Sequence, residues 1–328
     1  MSRGSFKLKN TQVLAELTDS MVLPESDYAV VENGTLYQFQ YLEEDSKLRQ
    51  PQPVKPGVWK IKKSNIGLYL EESTFIDDKI LDSFVNTVKI EKMVDSFFNK
   101  LNVYAELGIE IPKRGALLFG PAGGGKSTVI SKICRKYNTG NTLVLIWHTD
   151  VVDASDVKDF VENFDYKTHG VEKIIFIAED IGGVEQDNVR VRSESSLLSL
   201  LDNQQKTFTI PIFILATTNY PESFMENLTN RPNRFDDKVR IDYPDGDSRV
   251  ALFKFFSKAE ISDETFKLLN SSKCEKFTPA HIREIIIRSR IYDKTETKVI
   301  EELIAEAKDF EKAFEKTKKQ STGFMCDD

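Results

Sequence analysis

Cysteine and histidine are scarce in this 328-residue chain, at three residues each. Cys134, Cys274 and Cys326 have no short spacing between any pair. That argues against a disulfide framework or a zinc site and suits a reducing compartment. His148, His169 and His281 leave little material for histidine-rich metal chemistry, and no His-Glu-x-x-His occurs. No apolar stretch approaches the ~18 uninterrupted residues of a membrane span. The N-terminus, MSRGSFKLKNTQVLAEL, lacks an apolar run followed by a cleavage site. The expectation is a cytoplasmic protein with no membrane partner. Positive charge does not dominate either: 45 Lys and Arg stand against 52 Asp and Glu, a net charge of −7. A polybasic nucleic-acid surface is therefore disfavoured, and only a local basic groove is left open. Repeats and low-complexity blocks are absent. What is present is 40% hydrophobic and 30% charged residues, enough for a real core. At ~100–200 residues per domain the length suits two units and a helical appendage.

The first part is β-rich. Tyr28–Val31 leads into Asn33-Gly34, a dipeptide that accepts the positive φ angles of a tight hairpin, and Leu36–Tyr41 alternates after it. Pro51–Pro56 is proline-rich and cannot lie in a central strand. A second hairpin is expected from Trp59–Ile61 and Leu68–Leu70 around Ser64-Asn-Ile-Gly67. Residues 1–75 read as a small antiparallel domain, or alternatively as a strand-rich extension packed on the next domain.

From about residue 76 the texture changes. Ile80–Leu101 carries apolar residues at helical spacing. Four short apolar runs then alternate with helical patterns: Ala116–Phe119, Leu143–Ile146, Ile174–Ile177 and Ile212–Ala216. Runs apolar at consecutive positions suit parallel strands buried on both faces between helices, which makes residues 76–246 an α/β core. After Pro244-Asp-Gly246 the chain turns helical, over Ser248–Ala259, Asp263–Asn270, Pro279–Ile291 and about Lys294–Lys319, so 247–328 form a helical unit. Leu303, Ala307, Phe310 and Phe314 make one stripe on the last helix, expected to dock on a neighbouring surface.

The first chemical motif is Gly120-Pro121-Ala122-Gly123-Gly124-Gly125-Lys126-Ser127, which fits the phosphate-binding pattern G-x-x-x-x-G-K-[ST] at every position. Glycines let the backbone wrap a polyphosphate with its N–H groups inward. Lys126 reaches the β- and γ-phosphates, and the Ser127 hydroxyl can ligate Mg²⁺. A buried strand precedes the loop and a helix beginning around Thr128 comes after it, its N-terminal dipole aimed at the phosphates. ATP and Mg²⁺ are the expected ligands.

Such a loop needs a second strand whose end supplies carboxylates. Ile174-Ile-Phe-Ile-Ala-Glu179-Asp180 runs apolar residues straight into two acids. The reading assigns Glu179 to Mg²⁺ through water and Asp180 to polarising the attacking water. In the other assignment Ala178 occupies the metal-acid position and Glu179 is the base.

With both motifs placed, the chain from about 76 to 292 resembles the AAA family of the AAA+ ATPases. Tyr104–Gly120 looks like the family's approach to its phosphate loop. Ala216-Thr-Thr-Asn219-Tyr-Pro-Glu222 resembles its sensor-1 segment, and Arg231-Pro-Asn-Arg234-Phe-Asp236 with Tyr243-Pro-Asp245 is similar to its second region of homology. The Glu-Asp order and the Thr-Thr-Asn-Tyr-Pro wording look closest to the branch of the mitochondrial Rieske-protein translocase and its bacterial and phage-type relatives. The resemblance implies that Asn219 holds a water near the γ-phosphate. It also implies that Arg231 and Arg234 act on the nucleotide of the neighbouring subunit in a ring, most often a hexamer. Phe277-Thr-Pro-Ala280-His281 resembles the lid segment against the base, with Ala280 in contact and Pro279 replacing the usual small Gly.

The segment Trp147–Asp153 lacks the aromatic–apolar–Gly loop that grips polypeptide in threading relatives. Gly182-Gly183 through Arg190 and Arg192 reads either as a second central loop or as a plain connection. The expected function is hydrolysis of ATP coupled to remodelling, unfolding or disassembly of a client, with a protein client or adaptor held by the N-terminal domain. A nucleic-acid motor or clamp-loader-like ATPase, and a nucleotide-dependent assembly scaffold, are the alternatives.

Overall fold

The computed structural model describes residues 28–32, 35–39, 56–64, 67–73, 85–138, 140–148, 170–181, 209–221 and 235–322, with isolated positions between 152 and 166. The chain divides into two compact units, one of residues 1–120 with 126–240 and one of 121–125 with 241–328.

The first unit is built on a nine-stranded sheet: β1 (Tyr28–Glu32), β2 (Thr35–Phe39), β3 (Gly57–Ser64), β4 (Gly67–Glu72), β5 (Lys113–Phe119), β6 (Thr142–His148), β7 (Lys173–Glu179), β8 (Ile212–Thr218) and β9 (Asp237–Arg240), in the order β2-β1-β4-β3-β6-β7-β8-β5-β9. The two sequence-predicted hairpins are antiparallel pairs, closing at Glu32↔Thr35 and Ser64↔Gly67. β3 lies parallel to β6, pairing Gly57 with Leu143, so the early strands and the α/β core share one sheet. The strands from β6 to β9 are mutually parallel. Their consecutive apolar runs are explained by burial on both faces: Leu143–Leu145, Ile174–Ala178 and Ile212–Ala216 have no solvent exposure. Helices α1 (Val85–Asn99), α2 (Leu101–Glu106) and α3 (Lys126–Tyr137) belong to this unit. α1 buries Ile90, Val94, Phe97 and Phe98, a helical stripe, and packs on α3.

The second unit holds α4 (Gly246–Ser257), α5 (Asp263–Asn270), α6 (Pro279–Ile291) and α7 (Glu296–Thr322). Each of the first three starts at a side-chain cap: Asp245 accepts from Ser248 N–H, Ser262 from Thr265 N–H and Thr278 from His281 N–H. Val299, Ile300 and Leu303 anchor α7 against α5 and α6. Of the docking stripe expected at Leu303–Phe314, Leu303 is buried and Ala307 is exposed. The side chains of Phe310 and Phe314 lie outside the described residues.

Candidate functional site

The carboxyl ends of β5, β7 and β8 are adjacent by register, with Phe119 beside Thr218 and Ala178 beside Ala216. Ligands of open α/β sheets bind outside such strand ends. The residues that leave these ends are the ones the sequence singles out.

From β5 the chain passes Gly120, runs through the glycine loop and enters α3 at Lys126. Lys126 is buried at 6% exposure and donates from Nζ to the Gly120 carbonyl at 2.9 Å. Burial lowers its pKa and the nearby Asp180 charge opposes that shift. Ser127 and Thr128, in the first turn of α3, are exposed.

At the end of β7 the two acids part. Glu179 is the last strand residue, and its register partner on β6 is His148. His148 Nε2 lies 3.3 Å from Glu179 Oε2. Burial raises the Glu179 pKa, with His148 acting against it and Asp180 adding to it. Asp180 has already left the strand at φ +52°. That left-handed turn is held by two hydrogen bonds to β8: Asp180 N–H donates to Thr217 Oγ1 at 3.0 Å and Ile181 N–H to the Thr217 carbonyl at 2.8 Å. The turn aims Asp180 at the end of β8, where Asn219 Nδ2 donates to Asp180 Oδ1 at 3.1 Å. Asn219 Oδ1 is buried without a hydrogen-bond partner among the described residues. A buried carbonyl oxygen so placed is costly unless it accepts from a water or a ligand.

The loop residues Pro121, Ala122, Gly123, Gly124 and Gly125 belong to the second unit, where Gly124 N–H donates to the Pro121 carbonyl at 3.1 Å. Gly123 sits at φ +70°, and a Cβ there would lie 3.0 Å from Thr278 Oγ1 and 3.1 Å from the Ala280 Cβ. Ala280, the expected base-side residue, is therefore next to the glycine loop. His281 is part of the cap of α6: its Nδ1 accepts from Thr278 N–H at 3.2 Å, and its ring stacks on Phe277 at 5.3 Å. Burial lowers its pKa.

Lys126, Glu179, Asp180 and Asn219 are thus brought to one edge of the first unit. Arg231 and Arg234, like Glu222, Arg190 and Arg192, lie outside the described residues. The positions just after Arg234 are anchored to β5: Asp236 accepts from Gly115 N–H at 2.9 Å, and Asp237 pairs with Arg114 at 2.9 Å. Sequence reasoning missed His148 and Thr217. Thr217 was within reach, since a hydroxyl just inside a buried strand end needs a donor or acceptor nearby. His148 becomes visible only through the β6–β7 register. Among the described residues no cluster of three or more His, Cys, Asp or Glu side chains could hold a metal by itself. This donor set fits Mg²⁺, which takes one or two protein oxygens and completes its shell with phosphates and water.

Residues 116–243 match the family described as ATPase family associated with various cellular activities (AAA). Among curated proteins the chain is similar to the ATP-dependent zinc metalloprotease FtsH of Bacillus subtilis, at 30% identity over 67% of this chain and 36% of the relative. FtsH of Clostridium perfringens is 28% identical over 63% of this chain and 30% of the relative. The proteasome-activating nucleotidase of Saccharolobus islandicus is 26% identical over 61% of this chain and 53% of the relative. The chain therefore spans about a third of those FtsH proteins and about half of the nucleotidase. No His-Glu-x-x-His occurs in these 328 residues. No described helix is long and apolar enough to cross a membrane. A glycine loop between β5 and α3, an acid pair ending β7 and an asparagine ending β8 lie within the stretch of the family match, so residues 116–243 carry an ATPase domain of the AAA family.

Proposed function

We propose that this protein hydrolyses ATP with Mg²⁺ in a ring, most simply a hexamer, and uses the cycle to remodel, unfold or disassemble a protein client in the cytoplasm. The loop 121–125 and Lys126 would hold the phosphates, with Ser127 and Glu179 on the metal side and Ala280 on the base side. Bound Mg²⁺ would neutralise phosphate charge. Asp180 would polarise the attacking water, Asn219 would position it, and Arg231 and Arg234 would come from the neighbouring copy. Residues 1–75 would receive the client or an adaptor.

The observation that carries this reading is the Asp180–Asn219 hydrogen bond beside a buried, unpartnered Asn219 Oδ1. A water there has an acceptor carboxylate and an amide oxygen to orient it, which is the geometry that general-base activation needs. Glu179 is drawn towards His148 instead, which favours the metal-side role for it. The relatives' names join ATP-dependent action to proteolysis or to a proteasome, which supports a protein client over a nucleic acid.

The test is equilibrium nucleotide binding alongside steady-state hydrolysis. Lys126→Ala is expected to abolish ATP binding. Asp180→Asn is expected to bind ATP normally and lose at least ~100-fold in kcat, the usual worth of a positioned base. Glu179→Gln should bind ATP yet turn over little at any Mg²⁺ concentration that saturates the wild type. Normal turnover by both acidic variants would sink the assignment. Stimulation of hydrolysis by nucleic acid but not by unfolded protein would overturn the client class.

A further inference from the structure

The α1–α2 face of the first unit carries a cavity of about 620 Å³ that the nucleotide chemistry does not use. Its floor is apolar and rigid: Phe97 is held by edge-to-face contacts with Phe98, Tyr104 and Phe213 at centroid distances of 4.9, 5.6 and 5.7 Å. Beside it Leu107 is 72% and Val103 43% exposed. Apolar side chains gathered around a concavity at such exposure mark an interaction surface. The rim is cationic, from Lys89, Lys92 and Lys100, and the single acid in the lining, Asp237, is already paired with Arg114. An occupant must bring an apolar knob flanked by carboxylates.

The chain presents such a knob on its second unit. Phe266 on α5 is 45% exposed, while Thr265 and Leu269 of the same helix are buried. Asp263 lies three residues before Phe266, a helical spacing that puts both on one face. Glu264 and Glu260 are near in sequence, and all three acids are exposed. No other large exposed apolar side chain among the described residues has three exposed acids within six positions before it and no basic residue between.

We infer that Phe266 of a second copy seats in this cavity, with Asp263 meeting Lys89, Lys92 and Lys100. Knob and groove are different surfaces, so the contact is heterologous: every copy offers both, and assembly continues until it closes into a ring. The inference rests on the ring reading above and names its interface.

The full chain with Mg·ATP, followed by sedimentation velocity, tests this. Wild type should sediment as a closed oligomer. Phe266→Ala and Leu107→Asp change exposed residues, so each should keep the wild-type melting temperature and weaken assembly by ~30-fold or more, as loss of an interface anchor does. Mixed one to one, the two variants share a single intact knob-and-groove pair and should form dimers and nothing larger. Lys92→Glu and Asp263→Lys should each weaken assembly and, combined in one chain, recover it. If wild type assembles and both single variants assemble equally well, this interface is wrong while the ring reading stands. If both variants lose assembly and their mixture stays monomeric, the pairing of knob with groove is wrong. A wild type monomeric at every concentration with ATP removes the ring reading and this contact together.

Discussion

Glu179 and Asp180 are sequence neighbours, yet the backbone gives them different surroundings. A residue at φ +52° that is not glycine is uncommon and carries a steric penalty, so the turn at Asp180 must be compensated. The two hydrogen bonds from residues 180 and 181 to Thr217 supply that compensation. Two acids after an apolar run were legible in the sequence as a site. Which acid faces which neighbour was not, because that depends on the β7–β8 pairing and on one left-handed residue. Gly123 offers a test at the same scale. Its φ of +70° disfavours any side chain, and its Cβ position is crowded by Thr278 Oγ1 and the Ala280 Cβ. Gly108 has a similar φ of +76° with nothing within 4 Å. Gly108→Ala should therefore cost about 1–2 kcal/mol from strain alone. Gly123→Ala should cost more and also weaken ATP binding, measured by thermal melts and nucleotide titration. Equal effects of the two on both readouts would show that crowding at Gly123 is unimportant.

The elements differ in how much of them the chain announces. Asp263–Asn270 and Pro279–Ile291 are helices over the ranges read from sequence, because a capping serine or threonine precedes each and Pro279 stands at its first position. The parallel strands were legible as apolar runs, whereas their order was not, since pairing between distant strands leaves no local trace. The last helix shows the limit: of its periodic stripe, Leu303 is buried with Val299 and Ile300, whereas Ala307 one turn later is exposed. The cap of α6 predicts a pH effect. His281 Nδ1 must be unprotonated to accept from Thr278 N–H, and burial holds its pKa below the ordinary histidine value. The folded state thus favours the neutral ring. The stabilisation is fully present above about pH 6.5, the unfolded value, and is lost as pH falls through the lower folded pKa. Wild type should lose more melting temperature between about pH 7 and pH 5 than His281→Gln, which can accept the same bond without titrating. Thr278→Ala should cost about 1 kcal/mol even at neutral pH, by removing the cap oxygen itself. Parallel pH profiles for wild type and His281→Gln would place the acid sensitivity elsewhere.

At the scale of the whole molecule, a net charge of −7 coexists with the proposed polyphosphate site. There is no conflict, because phosphate recognition there would be local, made by loop N–H groups, one buried lysine and a helix N-terminus. What one chain does not contain is the arginine that faces its own nucleotide, if Arg231 and Arg234 act on a neighbour. Mixing variants separates the two cases. A Lys126→Ala copy cannot bind ATP but keeps its arginines, and an Arg234→Ala copy binds ATP but lacks a finger. Each alone should be nearly inactive. In an equal mixture, about one site in four pairs an intact phosphate loop with an intact neighbouring arginine by random closure of a heterologous ring, so hydrolysis should reappear. Cross-linking of the mixture would first establish that mixed oligomers form. Mixed oligomers that hydrolyse no more than either parent would mean that Arg234 serves the nucleotide of its own chain, or none.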